Sequence, residues 1–367
     1  MIEIESIESL KNLLHKNELS NLALQYIDLT EVADFLLNKS VKKCIFLGCK
    51  MPDMLLQHLF HNNFVFPSLD VPFNIYPNRL YNKESLYDNF NPDKPDSYKN
   101  TLDYKIYRHF LREGKEAQDI KETLARRLHD HSITDALYDF LNGYEEKKIV
   151  GIMGGHDLGR NSKTYADIAE LSKQLTEEGY LMISGGGPGA MEATHIGAWF
   201  AGKSLKVMKD AIKILCKAPL YNDPKWLSTA FKILESYPES KYKSLGIPTW
   251  LYGHEPPSPF ATHIAKYFAN SIREEGLLAI AKGGIVFTQG SAGTLQEIFQ
   301  EITQNHYETF GYASPMVFYD KEYWSYERPV YPVIELMCKR GNLKHLNIGL
   351  YDSKNEVMQH IRNFTNS

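Results

Sequence analysis

The sequence predicts an α/β protein. Its main domain is an open, Rossmann-like parallel sheet with helices on both faces, preceded by an N-terminal accessory α/β domain. Two observations carry this prediction. From Lys147 onward, short apolar runs without polar alternation are separated by helix-length segments, the pattern of parallel strands buried on both faces. Three of those runs end in glycine-rich turns that lead into helices, and in such sheets ligands bind beyond the carboxyl ends of the strands. With 367 residues, 43% of them hydrophobic, the chain is long enough for about two packed domains.

Residues 1–145 read as the accessory domain. KKCIFLGCKMP (42–52) predicts one buried strand running into a turn, and residues 62–106, rich in Asn, Asp, Pro and Tyr, predict irregular structure. DIKETLARRLHDHSITDALYDFLNG (119–143) has apolar residues at helical spacing and a stop at Gly143. Residues 146–367 carry the alternation. KIVGIMGG, YLMISGGG, IPTWLYG, GGIVFTQG, SPMVFYD and LNIGLYD read as strands. The helices between them include KTYADIAELSKQLTEEG, ending at Gly179, one from Gly189 and one from near Pro259 to Arg273.

The formal net charge of −4 argues against nucleic acid or an anionic membrane as a partner. Cys44, Cys49, Cys216 and Cys338 form no C-x-x-C pair and read as reduced core residues. The acidic N-terminus lacks a signal-peptide layout and no apolar run reaches the length of a membrane span, so a cytoplasmic location is expected.

The three glycine turns are Met153-Gly154-Gly155-His156, Ser184-Gly185-Gly186-Gly187-Pro188-Gly189 and Gln289-Gly290-Ser291-Ala292-Gly293-Thr294. Small residues let backbone N–H groups approach a ligand, and a helix N-terminus favours an anion. None is a Walker A loop or a G-x-G-x-x-G dinucleotide fingerprint, which favours a mononucleotide. Glu192 falls in the first turn after the second loop, and Glu297 one turn after Thr294. Each would complement a helix dipole; two on one sheet edge also suit a reaction centre.

GGGPGAMEATHIGA, EPPSPF and QGSAGTLQE resemble the LOG family, Rossmann-type nucleoside 5′-monophosphate phosphoribohydrolases once mislabelled lysine decarboxylases. The likeness is nearest to the larger bacterial purine/pyrimidine-nucleotide nucleosidases and covers about residues 147–320. The family signature P-G-G-x-G-T-x-x-E places its glutamate on Glu297, with Gln289 and Ser291 in place of the Pro and the second Gly. Gly185, Gly186, Gly187 and Gly189 match the family's second loop, followed by Met191 and Glu192. A family arginine falls on or beside Arg273.

The resemblance implies hydrolysis of a nucleoside 5′-monophosphate to free base and ribose 5-phosphate, in a dimer or larger even assembly. Breaking an N-glycosidic bond builds positive charge on the ribose. Glu297 would stabilise that charge and orient water, with Glu192 on the ribose hydroxyls or sharing the water. Gly290 to Thr294 would grip the phosphate, and Arg273 would neutralise phosphate or orient a carboxylate. Gly154 and Gly155 complete the nucleotide-facing set. No cofactor or metal is expected, since no ligand cluster with metal spacing occurs. Two other functions fit the same fold: a nucleotide sensor without turnover, and a carrier of a phosphorylated cofactor of the molybdopterin type.

Several other residues have plainer readings. His129 and His131, at i and i+2, do not share a helix face and read as capping or surface residues. His254-Glu255-Pro256-Pro257 could be catalytic, but a rigid loop shaping the pocket is the simpler reading. Tyr76, Arg79, Tyr81 and Tyr87 could stack a base, but ordinary tyrosine packing is the simpler reading.

Overall fold

The computed structural model describes residues 1–366. Its contacts divide the chain into two compact units, Met1–Leu80 with His109–Phe140, and Tyr81–Arg108 with the chain from Leu141 onward.

The first unit holds β1 (Ile2–Ile4), β2 (Glu18–Ser20), β3 (Leu22–Gln25), β4 (Ser40–Lys42), β5 (Ile45–Leu47) and β6 (Phe64–Phe66). β1, β3, β5 and β6 form a parallel four-stranded sheet, and β2 pairs with β4. Leu22, Leu24, Phe46, Leu55 and Leu59 lie in its core. Of these only β5 matches the single strand expected from the sequence. The Ile120–Leu141 helix matches its predicted span. Within it His131 is exposed, but His129 is fully buried, edge-on to Phe73 at 5.7 Å, which corrects the surface reading for that residue.

The second unit is built on seven parallel strands, β7 (Ile149–Met153), β8 (Leu181–Ser184), β9 (Ser244–Gly246), β10 (His263–Ile264), β11 (Gly284–Phe287), β12 (Pro315–Tyr319) and β13 (Asn347–Tyr351). Their order is β10-β9-β8-β7-β11-β12-β13. Strands β7, β8, β11 and β12 are buried along their whole length, which is why each reads as an unbroken apolar run. The chain first winds outward from β7 to β10. It then returns past β7 to start β11, so the winding reverses between β7 and β11. That reversal opens a crevice at the carboxyl ends, where this class of sheet binds ligands.

Two elements differ from expectation. IPTWLYG is not a strand: β9 lies just before it, and Trp250–Tyr252 is a single 3₁₀ turn. Pro248 has no N–H to give a ladder. The helix expected from Pro259 to Arg273 begins only at Asn270. Its first half is instead β10, which pairs with β9 and is bridged on its other side by Tyr81, whose N–H reaches the Ile264 carbonyl at 3.0 Å. A polyproline start, Pro256-Pro257-Ser258-Pro259, withholds the helix there. Tyr76, Tyr81 and Tyr87 are buried and Arg79 is exposed. The Tyr87 hydroxyl bonds the Pro257 carbonyl. Lys266 and Asp103 form a wholly buried ion pair at 2.5 Å. Among the described residues no helix is long and apolar enough to cross a membrane.

Candidate functional site

All seven strands run the same way, so the three glycine turns emerge on one edge of the sheet. The first and third are joined directly. The Gly155 N–H donates to the Gln289 carbonyl at 2.8 Å, and the Thr288 N–H to the Met153 carbonyl at 2.9 Å. The second loop closes on the first where the Ala190 N–H meets the Gly155 carbonyl at 3.1 Å. Gly189 adopts φ +67°, and a Cβ there would lie 2.3 Å from the Gly155 oxygen, so only glycine fits.

The third loop is held from behind. The Tyr323 hydroxyl donates to the Gly290 carbonyl at 2.5 Å and accepts from the Gly290 N–H at 3.2 Å. The Gln289 amide donates to Asp320 at 2.8 Å. Thr294 packs over Gly290, where a Cβ would meet its Oγ1 at 2.1 Å. Ser291, Ala292 and Gly293 are exposed at the start of the Ala292–His306 helix. The Ser291 hydroxyl makes no capping bond there. The first-turn N–H groups of a helix have no acceptor within it, and they face solvent together with the positive end of the dipole.

One turn on, Glu297 is buried. Arg273 approaches it at 3.7 Å, and Glu274 lies 3.2 Å from the same guanidinium. Burial pushes the Glu297 carboxyl up to about 8; Arg273 opposes the shift and Glu274 adds to it. Arg273 also borders the second loop, since a Cβ at Gly185 would be 3.9 Å from its Nη1. Its Nε and the Asn270 Oδ1 are buried without a protein partner. Buried polar groups of this kind are normally paired with protein, ligand or ordered water.

Met191 and Glu192 are neighbours on one helix and point to different places. The Met191 sulfur accepts from the Gly187 N–H at 3.4 Å and so lies against the second loop. Glu192 is fully buried in a bidentate pair with Arg160, at 2.6 and 2.8 Å, and also accepts from the Tyr165 hydroxyl at 2.8 Å. Arg160 in turn donates to the carbonyls of Ala218 and Trp226. The structure thus brings Glu297, Arg273 and the three loops together. It places Glu192 in a closed ion pair, occupied by protein on both oxygens.

Two groups outside the sequence-derived set also stand here. His195 is fully buried, between Ser184 at 2.8 Å and Ser244 at 3.1 Å, and the Ser184 hydroxyl accepts from the Gly186 N–H. Burial lowers this imidazole to about 3, so it stays neutral and orders the loop. Glu255, on the EPPSPF loop, lies beside the second loop, which the Ser258 N–H ties down through the Gly186 carbonyl at 2.8 Å. The sequence offered the Glu255 segment as a catalytic candidate or, more simply, as a rigid loop shaping the pocket. The signal for His195 was its place in an apolar, small-residue helix, where a polar ring must find buried partners.

Among the described residues one group of three carboxylates, Glu3, Asp135 and Asp139, comes close enough to hold a metal ion, and two of the three are exposed. It lies in the first unit, away from the glycine loops in sequence and sheet.

No family model and no curated protein matches the sequence. Among solved structures, the molybdenum cofactor binding protein from the phototrophic bacterium Rippkaea orientalis aligns at 15% identity and TM-score 0.36, covering 59% of this chain and 96% of that one. The structural-genomics target TM1055 aligns at 16% identity and TM-score 0.36, covering 59% of this chain and 99% of its own.

Proposed function

We propose that the protein hydrolyses the N-glycosidic bond of a nucleoside 5′-monophosphate, releasing the base and ribose 5-phosphate. The observation that carries this reading is Glu297: a buried carboxyl beside Arg273, one turn inside a helix whose exposed N-terminus faces the crevice at the winding reversal. The 5′-phosphate sits on the N–H groups of Ser291 to Thr294, and the ribose lies over Glu297. The phosphate contacts hold the reacting sugar in place from a distance. Glu297, ionised in the reacting complex, faces the cation that develops at C1′ and receives a proton from the attacking water. Arg273, drawn between Glu274 and Glu297, keeps that carboxylate oriented. Glu192 serves the loop through Arg160 and does not touch substrate.

Base release from AMP, GMP, CMP and UMP tests the proposal. Glu297→Gln keeps shape and removes charge, and should lower kcat on the order of 10²-fold or more with nucleotide affinity little changed. Thr294→Val should raise KM more than it lowers kcat. Unchanged turnover in folded Glu297→Gln would remove the residue from the reaction.

A second reading, binding of a phosphorylated ligand without turnover, draws on the raised Glu297 carboxyl. A carboxyl that stays protonated at neutral pH is a hydrogen-bond donor, not a counter-charge. Tight calorimetric binding of monophosphates with no base released by the wild type would select it.

A further inference from the structure

Resting on that reading, we propose that Glu255 is the acid of the cleft. Its Oε2 delivers the proton that the departing base requires, and His156 holds Oε1 in place. A nucleobase leaves poorly as an anion, so the reaction needs a proton donor on the leaving-group side in addition to a carboxylate at the sugar. Glu297 belongs to the third loop. Glu255 reaches the cleft from a different element, the loop after the Trp250–Tyr252 turn.

Its two oxygens have different surroundings. Oε1 lies 3.3 Å from His156 Nδ1, on the first loop. Oε2 lies toward the second loop, 3.5 Å from where a Cβ on Gly187 would stand. His156 is itself fixed, with Nε2 3.1 Å from Asp157 and its ring edge-on to Tyr221 at 5.4 Å. Prolines 256 and 257 follow directly and stiffen the segment. The groups acting on Glu255 are His156, His254 and Arg273, which favour its ionised form, and Asp157, which opposes it. Burial outweighs them and raises the carboxyl above its ordinary value. Its side chain is 14% exposed and that of His156 32%, so the pair exchanges protons with solvent between turnovers. Two carboxyls from different elements thus border one cleft, Glu255 beside a partly exposed imidazole and Glu297 beside Arg273.

In the step, the C1′–N bond breaks and its electron pair leaves with the base, which takes the proton from Glu255 Oε2. Water adds its oxygen to C1′ and gives a proton to Glu297. Solvent protons then return to Glu255 and leave Glu297. The balance is monophosphate plus water to base plus ribose 5-phosphate.

The test compares two substrates on the full-length protein: AMP or the best monophosphate, and 4-nitrophenyl β-D-ribofuranoside 5-phosphate, whose nitrophenolate departs without protonation. Glu255→Gln is expected to lower kcat on the monophosphate by about 10²-fold and to change nitrophenolate release less than about fivefold. Glu255→Asp, which keeps an acid, should restore part of the first loss. His156→Ala should fall in the same direction with a smaller effect. Glu297→Gln should lose both activities. Equal losses of Glu255→Gln on both substrates, with folding intact by circular dichroism, would overturn the acid role and leave the hydrolase reading standing. A wild type that releases neither base nor nitrophenolate would overturn both.

Discussion

Glu192 and Glu297 look alike in the sequence, each a carboxylate in the first turns of a helix behind a glycine loop, and their surroundings separate them. Glu192 has a guanidinium on both oxygens at 2.6 and 2.8 Å. Glu297 has its cation at 3.7 Å, too far for a hydrogen bond, and burial keeps its carboxyl near 8. This makes a stability prediction. A carboxyl raised from 4.5 in the unfolded chain to about 8 when folded binds more protons in the native state between those values. Its favourable contribution is therefore complete below pH 4.5 and is lost as pH rises through 8, at up to about 1.4 kcal/mol per pH unit. Urea unfolding of wild type and Glu297→Gln at pH 5, 6.5 and 8 should show the variant gaining on the wild type as pH rises. A constant difference would mean that Glu297 is not held protonated.

At the scale of elements, the cleft is made by loops that brace one another and by side chains that brace the loops. Tyr323 and Asp320 hold the third loop from just beyond the carboxyl end of β12. His195 and Ser184 hold the second. Arg160 joins the Ala190–Trp199 helix, through Glu192, to the carbonyls of Ala218 and Trp226. Removing one partner of a buried pair leaves an unpaired charge, so Glu192→Ala should cost roughly 3–5 kcal/mol of stability. Glu192→Gln, which can still accept from Arg160, should cost less and keep base release within an order of magnitude. A Glu192→Gln protein as stable as wild type yet inactive would return Glu192 to the reaction.

For the whole molecule, the segment Tyr81–Arg108 matters most. Composition alone sets it with the N-terminal residues, and its contacts group it with the sheet that bears the site. Tyr81 bridges β10, Tyr87 bonds the Pro257 carbonyl on the Glu255 loop, and Asp103 neutralises the buried Lys266. A chain begun at residue 146 lacks all three and leaves a buried ammonium unpaired. It should express as an aggregating or molten product, whereas a chain begun at Tyr81 should retain more cooperative thermal unfolding. Equal melting of the two would show that the segment contributes nothing to the sheet.

The sequence by itself determined the α/β class, the span of the main sheet and the three loops. Those features rest on local chemistry: strands buried on both faces must be apolar throughout, and tight turns onto helix N-termini must be small. The signature Q-G-S-A-G-T-L-Q-E likewise located Glu297, because one helical turn fixes its distance from the loop. Only the tertiary structure decided the rest. The other strands of the first unit, and β9 and β10, carry too little local signal, and their pairing supplies what local propensity lacks. Whether Glu192 faces ligand or Arg160 depends on a residue 32 positions away. The Glu255 loop was legible as pocket-shaping, but its seat between His156 and Gly187 came only with the fold. A side chain's partners across the fold set its charge and its reach, and no spacing along the chain encodes them.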